Sequence, residues 1–138
     1  MKLEIKKDMD GKNITCEASH PTYSAPVKTV IMLKVLYKPE LTITQEPAEI
    51  KEGDTVTIKC VSTSNPPKVM FKWYIDDVIE YESVKDEDPD DQTSALELTG
   101  IDKSKNGQKI KCWASNKIQN KPYETEAVHT LNINCKVI

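Results

Sequence analysis

The chain has little of what a catalytic or ion-binding protein needs. It holds two histidines, His20 and His129, and no Ser-His-Asp set, phosphate loop or metal cluster assembles around them. Its acidic residues sit in turn-like stretches, which suits hydration better than paired acid–base work. No catalytic, cofactor-binding or metal-binding residue is assigned, and an enzyme is not expected. Basic excess is missing too: the net charge is −3 with 30% charged residues, so the basic face of a nucleic-acid binder is not expected. No apolar run approaches the length of a membrane span. Helical spacing of apolar residues is absent over any useful length. The four cysteines, Cys16, Cys60, Cys112 and Cys135, form no C-x-x-C pair, which removes zinc-ribbon and thioredoxin readings. The start, Met1-Lys2-Leu3-Glu4-Ile5-Lys6-Lys7, alternates apolar and charged residues where a secretory signal needs an unbroken apolar stretch. The chain then reads as cytosolic or as an excerpt of a longer secreted protein, and the cysteines favour the excerpt.

What is present is alternation. Leu41-Thr42-Ile43-Thr44 has period two, until Pro47 breaks it. Gly53-Asp54 supplies a turn. Val56, Ile58 and Cys60 then share one face, with Thr55, Thr57 and Lys59 on the other, as in an antiparallel strand wet on one side. Ser64-Asn65-Pro66-Pro67 closes that strand. Phe71, Trp73 and Ile75 alternate next, and Asp76-Asp77 marks a turn. Leu96 and Leu98 form a short strand, Asn106-Gly107 turns the chain, and Ile110, Cys112 and Ala114 share a face. Leu131 and Ile133 form the last strand. About seven short strands with regular turn signals predict an all-β sandwich.

Cys60, Trp73 and Cys112 stand in an order that resembles the immunoglobulin domain, of I-set or related type. The resemblance covers residues 41–134 and implies a Cys60–Cys112 bridge between two sheets with Trp73 packed on it. Closing that 52-residue separation stabilises by about 4 kcal/mol in the chain-entropy model. These three residues are read as fold-holding. One feature departs from the pattern. Ile14 and Ile110 stand where many immunoglobulin domains have a tyrosine two residues before the second cysteine.

The front of the chain repeats the end. Asp10-Gly11-Lys12-Asn13-Ile14-Thr15-Cys16-Glu17-Ala18-Ser19-His20 matches Asn106-Gly107-Gln108-Lys109-Ile110-Lys111-Cys112-Trp113-Ala114-Ser115-Asn116 at an offset of 96 residues. With a shift of two more, Ile31, Leu33 and Val35 fall on His129, Leu131 and Ile133. Residues 1–37 are therefore expected to be the last three strands (E, F and G) of a truncated upstream domain, 38–40 a short proline-stiffened linker, and 135–138 a tail or the start of a next module. Cys16 has no expected partner, a Cys16–Cys135 bridge is not expected in an end-to-end tandem, and Cys135 has no derived role. Ile14, Ile31, Leu33 and Val35 are expected to be uncovered, leaving residues 1–37 less ordered or prone to aggregate.

Gly11-x-x-Ile14-x-Cys16-Glu17-Ala18, Val35-Leu36-Tyr37-Lys38-Pro39, and Ser64-Asn65-Pro66-Pro67 before Trp73 resemble the nephrin-like group of adhesion proteins (nephrin, neph/irregular-chiasm and invertebrate synaptogenesis receptors). The resemblance implies a single-pass type I membrane glycoprotein with many modules. Such a protein binds a protein partner on the same or a neighbouring cell, homophilically or heterophilically. It implies no cofactor, no nucleic acid and no membrane insertion by this stretch. The alternatives are a secreted soluble binder and an intracellular structural array, in which Cys60 and Cys112 stay reduced.

Four places invite a functional reading. Asn13-Ile14-Thr15 is the single N-glycosylation sequon, with Asn13 pointing outward. The acidic stretch of residues 85–91 lacks the glycine and ligand register of a calcium loop and reads as solvated. Residues 116–123 read as a loop between the last two strands, where partners often bind. Trp113 and Tyr123 are the aromatics expected at a partner contact, with Trp113 facing out or packing beneath a neighbouring long side chain.

Overall fold

A computed structural model describes residues 1–85 and 92–134, with side chains placed for all of these but residues 80–85. The acidic residues 86–91 and the tail 135–138, with Cys135, lie outside the described residues. The chain divides into two compact units, Met1–Tyr37 and Lys38–Ile138.

The first unit is a single hairpin. A 3-10 turn (Lys7–Met9) leads into β1 (Asn13–Ala18), which pairs antiparallel with β2 (Val27–Met32), Cys16 opposite Thr29. The sequence predicts a third strand ahead of these two, and residues 1–6 form none. The reason lies in the repeat. Ile5 matches Ile101, which lies past the end of its own neighbouring strand and is buried, whereas Ile5 is 49% exposed.

The second unit is an immunoglobulin-type β-sandwich. β3 (Tyr37–Glu46) contains the three residues read as a linker, and it buries Pro39 and packs Leu41 and Ile43 on the core. β4 (Ile50–Lys51) is followed by a turn in which Gly53, at φ +91°, donates its N–H to Ile101 O at 2.6 Å. β5 (Val56–Asn65), β6 (Val69–Ile75), β7 (Val78–Lys85) and β8 (Thr93–Leu98) follow. A 3-10 turn (Lys103–Lys105) leads into β9 (Lys109–Ile118), β10 (Lys121–Thr130) and β11 (Ile133–Asn134). One layer has the order β3-β5-β8 and the other β10-β9-β6-β7, with β11 pairing parallel to β4. Among the described residues no α-helix occurs, and so none is long and apolar enough to cross a membrane.

Period-two alternation builds the core. Val56, Ile58 and Cys60 from β5 meet Val69, Phe71 and Trp73 from β6 and Ile110, Cys112 and Ala114 from β9. All nine are fully buried. Cys60 and Cys112 are bridged, with 6.4 Å between their Cα atoms, inside the range a disulfide spans. Trp73 lies buried in the same core, and its Nε1 donates to Ser94 Oγ at 2.9 Å, satisfying the one polar atom of the indole.

Two parts of the sandwich differ from the sequence reading. The expected loop at 116–123 is a two-residue turn, Gln119-Asn120, with φ of +51° and +64°. Such left-handed pairs close tight hairpins because their twist matches the strands. The expected last strand through Leu131 and Ile133 is only the two-residue β11; the long strand here is β10 at 121–130, and Leu131 ends it by exchanging hydrogen bonds with Gly107 and Gln108. Alternation hid β10 because it is a sheet edge whose inward residues are Thr125, Ala127 and His129.

The two hairpins share one hydrogen-bond plan. In the first, Asp10 N–H donates to Lys7 O (3.1 Å), Gly11 N–H to Leu33 O (2.8 Å), Leu33 N–H to Lys12 O (2.8 Å) and Val35 N–H to the Asp10 carboxylate (2.7 Å). In the second, Asn106 N–H donates to Lys103 O (3.2 Å), Gly107 N–H to Leu131 O (2.8 Å), Leu131 N–H to Gln108 O (3.0 Å) and Ile133 N–H to the Asn106 amide oxygen (2.9 Å). Gly11 and Gly107 both take positive φ, +73° and +81°, which favours glycine at this turn.

Candidate partner-binding face

The outer surface of the β10-β9-β6-β7 sheet carries the side chains that alternate with the core. Cross-strand register sets them in rows. Val128, Lys111 and Tyr74 form one, Glu126, Trp113 and Lys72 the next, and Glu124, Ser115 and Met70 a third. Trp113 faces out between Cys112 and Ala114, as strand alternation requires, and is half-buried. The Lys72 ammonium lies 5.0 Å from the centre of its ring, and the Lys111 ammonium lies 5.2 Å from that of Tyr74. Each long basic side chain thus covers a ring on a neighbouring strand.

Charges frame this face. Lys111 Nζ reaches Asp77 at 3.3 Å and Glu126 at 3.7 Å. The hydrogen bond that Lys111 donates to Asp77, helped by the charge of Glu126, holds its ammonium above the ordinary range, although desolvation opposes the shift. Asp76 and Asp77, at φ +45° and +66°, make the tight turn between β6 and β7. The Asp76 carboxylate accepts from Lys109 N–H at 3.1 Å and Gln108 Nε2 at 3.2 Å, tying that turn to the start of β9. Met70 (41% exposed), Ile79 (48%) and Val128 (56%) leave apolar surface open around the stacked pairs. A shallow concavity of about 310 Å³ is lined by Lys38, Trp113, Glu124, Thr125 and Glu126. Its breadth and mixed lining suit a protein surface better than a small molecule, whose sites are enclosed and mostly apolar.

Trp113 and Tyr123 do not come together. Trp113 is the register partner of Glu126 on the outer face. Tyr123 partners Asn116, whose side chain is buried, so Tyr123 lies on the opposite side of the β9–β10 ribbon and stays 41% exposed only near its end. The sequence reading missed Tyr74 and Lys111. Their signal was the step of two along β6 and β9 away from the core residues, which becomes a contact only once the cross-strand register is known.

The other residues singled out in the sequence do not belong to these rows. Asn13 is exposed at the start of β1, and Cys16 is exposed and unbridged. His20 Nδ1 bonds the Thr22 hydroxyl at 2.7 Å, and His129 Nε2 bonds Gln45 Oε1 at 2.6 Å, so both serve local contacts. Among the described residues, no group of three or more His, Cys, Asp or Glu is arranged to hold a metal ion.

Known proteins resemble this chain in sequence and in fold. A profile of the immunoglobulin domain matches residues 38–116, more than half of the chain. Human Cell adhesion molecule 1 is 29% identical over 118 residues, covering 83% of this chain and 25% of its own length. Mouse B-cell receptor CD22 is 34% identical over 122 residues, covering 86% of this chain and 13% of its own. Mouse Kin of IRRE-like protein 2 is 31% identical over 64 residues, covering 46% of this chain and 9% of its own. The chain thus spans a quarter or less of these relatives. Among solved structures, the full ectodomain (Ig1–Ig3) of mouse nectin-like molecule 4 superposes with a TM-score of 0.64 at 23% identity, over 99% of this chain and 45% of that one, which shows the shared fold.

Proposed function

Because the chain belongs to the immunoglobulin-domain family, we propose that it is an extracellular segment of a cell-surface adhesion or recognition receptor that works by protein–protein contact. The observation that carries this reading is the pairing of a bridged immunoglobulin sandwich with relatives named as cell adhesion molecules and a cell receptor. The nephrin-like branch is the finer form of the proposal. The relatives spread over several groups, so the reading is set at the adhesion receptor. The full protein is read as single-pass, with a partner on the same or a neighbouring cell. Residues 41–134 are read as the complete domain and residues 1–37 as the closing strands of a preceding one.

The proposed contact is the outer face of the four-stranded sheet, with Trp113 as its anchor. A half-buried indole is already restrained, so it loses little rotamer freedom on binding and offers a large area. The flanking acidic and basic rows supply register rather than bulk affinity. Tyr123, on the other side of the ribbon, belongs to a separate contact.

The test uses beads coated with the whole chain, mixed with one another and with a panel of intact cells. Attachment is expected, and Trp113→Ala is expected to lower it by about tenfold, the scale of a binding hot spot. Attachment indifferent to Trp113→Ala defeats the assigned face. Free thiols at Cys60 and Cys112 in protein from its native source defeat the extracellular reading, because an oxidising route would have closed that pair.

A further inference from the structure

We propose that Asn13 carries an N-linked glycan whose first sugars lie over Val30 and Met32 and shield them from solvent. This rests on the extracellular reading, since the sugar is added along the secretory route. Asn13 and Thr15 of the sequon are both exposed, and Ile14 between them turns to the opposite face and is half-buried. Register places Asn13 directly across from Met32 and Thr15 across from Val30. The four residues therefore make one patch on one side of the hairpin. Two of them are apolar and open: Met32 is 68% exposed and Val30 56%.

The second hairpin shows that this patch is not simply a face awaiting another strand. Its equivalent residues are Lys109 opposite Thr130 and Lys111 opposite Val128. There β10 is the edge strand of a complete sheet, and Val128 is still 56% exposed. A β6-like neighbour would pair along β1, away from β2. The two hairpins differ in what stands at the sequon. The second has a lysine and a threonine where the first has the sequon asparagine and an exposed methionine. The exposed methionine and the attachment point thus occur together, in register, and only in the first hairpin.

The chemistry fits a carbohydrate cover. The transfer joins Asn13 Nδ2 to the anomeric carbon of a lipid-linked diphospho-oligosaccharide. The carbon–oxygen bond to phosphate breaks, the lipid diphosphate leaves, and the amide loses one proton. The first sugar then hangs beside Met32, with its C–H face and N-acetyl methyl free to lie on apolar side chains and its hydroxyls turned to water.

The experiment secretes the full chain from mammalian cells, which commits it to the glycosylating route whatever its natural address. Intact mass then reads occupancy at Asn13, with Thr15→Ala as the unglycosylated control and Thr15→Ser as the variant that retains the sequon. The glycosylated protein, and the same folded protein after enzymatic glycan removal, are oxidised with dilute hydrogen peroxide, and sulfoxide formation is followed at each methionine. Oxidation of Met32 is expected to be several-fold slower with the glycan in place. Met70, 41% exposed in the second unit, is expected to oxidise at an unchanged rate. An unoccupied Asn13 in the secreted protein overturns the site. An occupied Asn13 with unchanged Met32 oxidation overturns the shield. The state of Cys60 and Cys112 in native material decides the extracellular reading separately, so the two failures are distinguishable.

Discussion

Cys16 and Cys112 occupy the same place in two hairpins built on one hydrogen-bond plan, yet one sulfur is exposed and the other is sealed between two sheets. Ile110 is fully buried, and its counterpart Ile14 is only half-buried. Across the strands from Ile14, Ile31 is 62% exposed. The turns, the glycines at positive φ and the side-chain oxygens of Asp10 and Asn106 are local features, so they repeat without help. Burial is not local. It comes from β5 and β6, which the second hairpin has and the described residues of the first unit lack. A two-stranded hairpin without a covering layer is marginal in water, so the first unit keeps its shape with little stabilisation to spare.

The comparison can be broken most directly by hydrogen exchange. Amides of β9 are expected to exchange only through global unfolding, and those of β1 by local opening, a difference of about three orders of magnitude or more. Equal protection in the two hairpins would show that the first is covered after all. The two cysteines come next. Cys112→Ser removes the bridge and is expected to cost about 4 kcal/mol in denaturant titration of the second unit. Cys16→Ser should stay within about 0.5 kcal/mol, as for a surface change. A similar loss from both would mean that Cys16 is engaged.

Trp73→Phe should cost about 2 kcal/mol, because it leaves a void in the core and removes the donor to Ser94. A calorimetric melt of the second unit measures this, and the transition of the first unit should not move. The smallest contrast lies at the two 3-10 turns. Asp102 caps the second through Ser104 N–H and the Ser104 hydroxyl, whereas Lys6 offers the first no side-chain cap. Those hydrogen bonds from Ser104 hold the Asp102 carboxyl below its ordinary range. Its contribution is therefore present above the unfolded carboxylate value of about 4 and is lost as pH falls through the folded one. Asp102→Ala should lower the melting temperature slightly at neutral pH, and the two melting curves should converge in acid. Lys6→Asp should raise the order of the first turn by a similarly small amount.

Much of the sandwich was legible because its core strands alternate cleanly. Val56, Ile58 and Cys60, then Phe71 and Trp73, then Ile110, Cys112 and Ala114, each mark a buried face in the residue order alone. β10 was not legible, since an edge strand needs no apolar stripe and its inward positions are small or polar. The Gln119-Asn120 turn was also hidden, because neither residue is the glycine that usually announces left-handed geometry. At the candidate face, Trp113 could be pointed outward from alternation. Its cover by Lys72 and the matching Lys111–Tyr74 pair depend on the alignment of β6 with β9.

Sequence alone determined the faces of the core strands, the repeat and its turns, because these follow from alternation and from the backbone freedom of residues a few positions apart. Tertiary structure decided which cysteines meet, which hairpin is covered and which side chains share the outer face. Those outcomes depend on the register and stacking of strands far apart in the chain, and neighbouring residues carry no record of either.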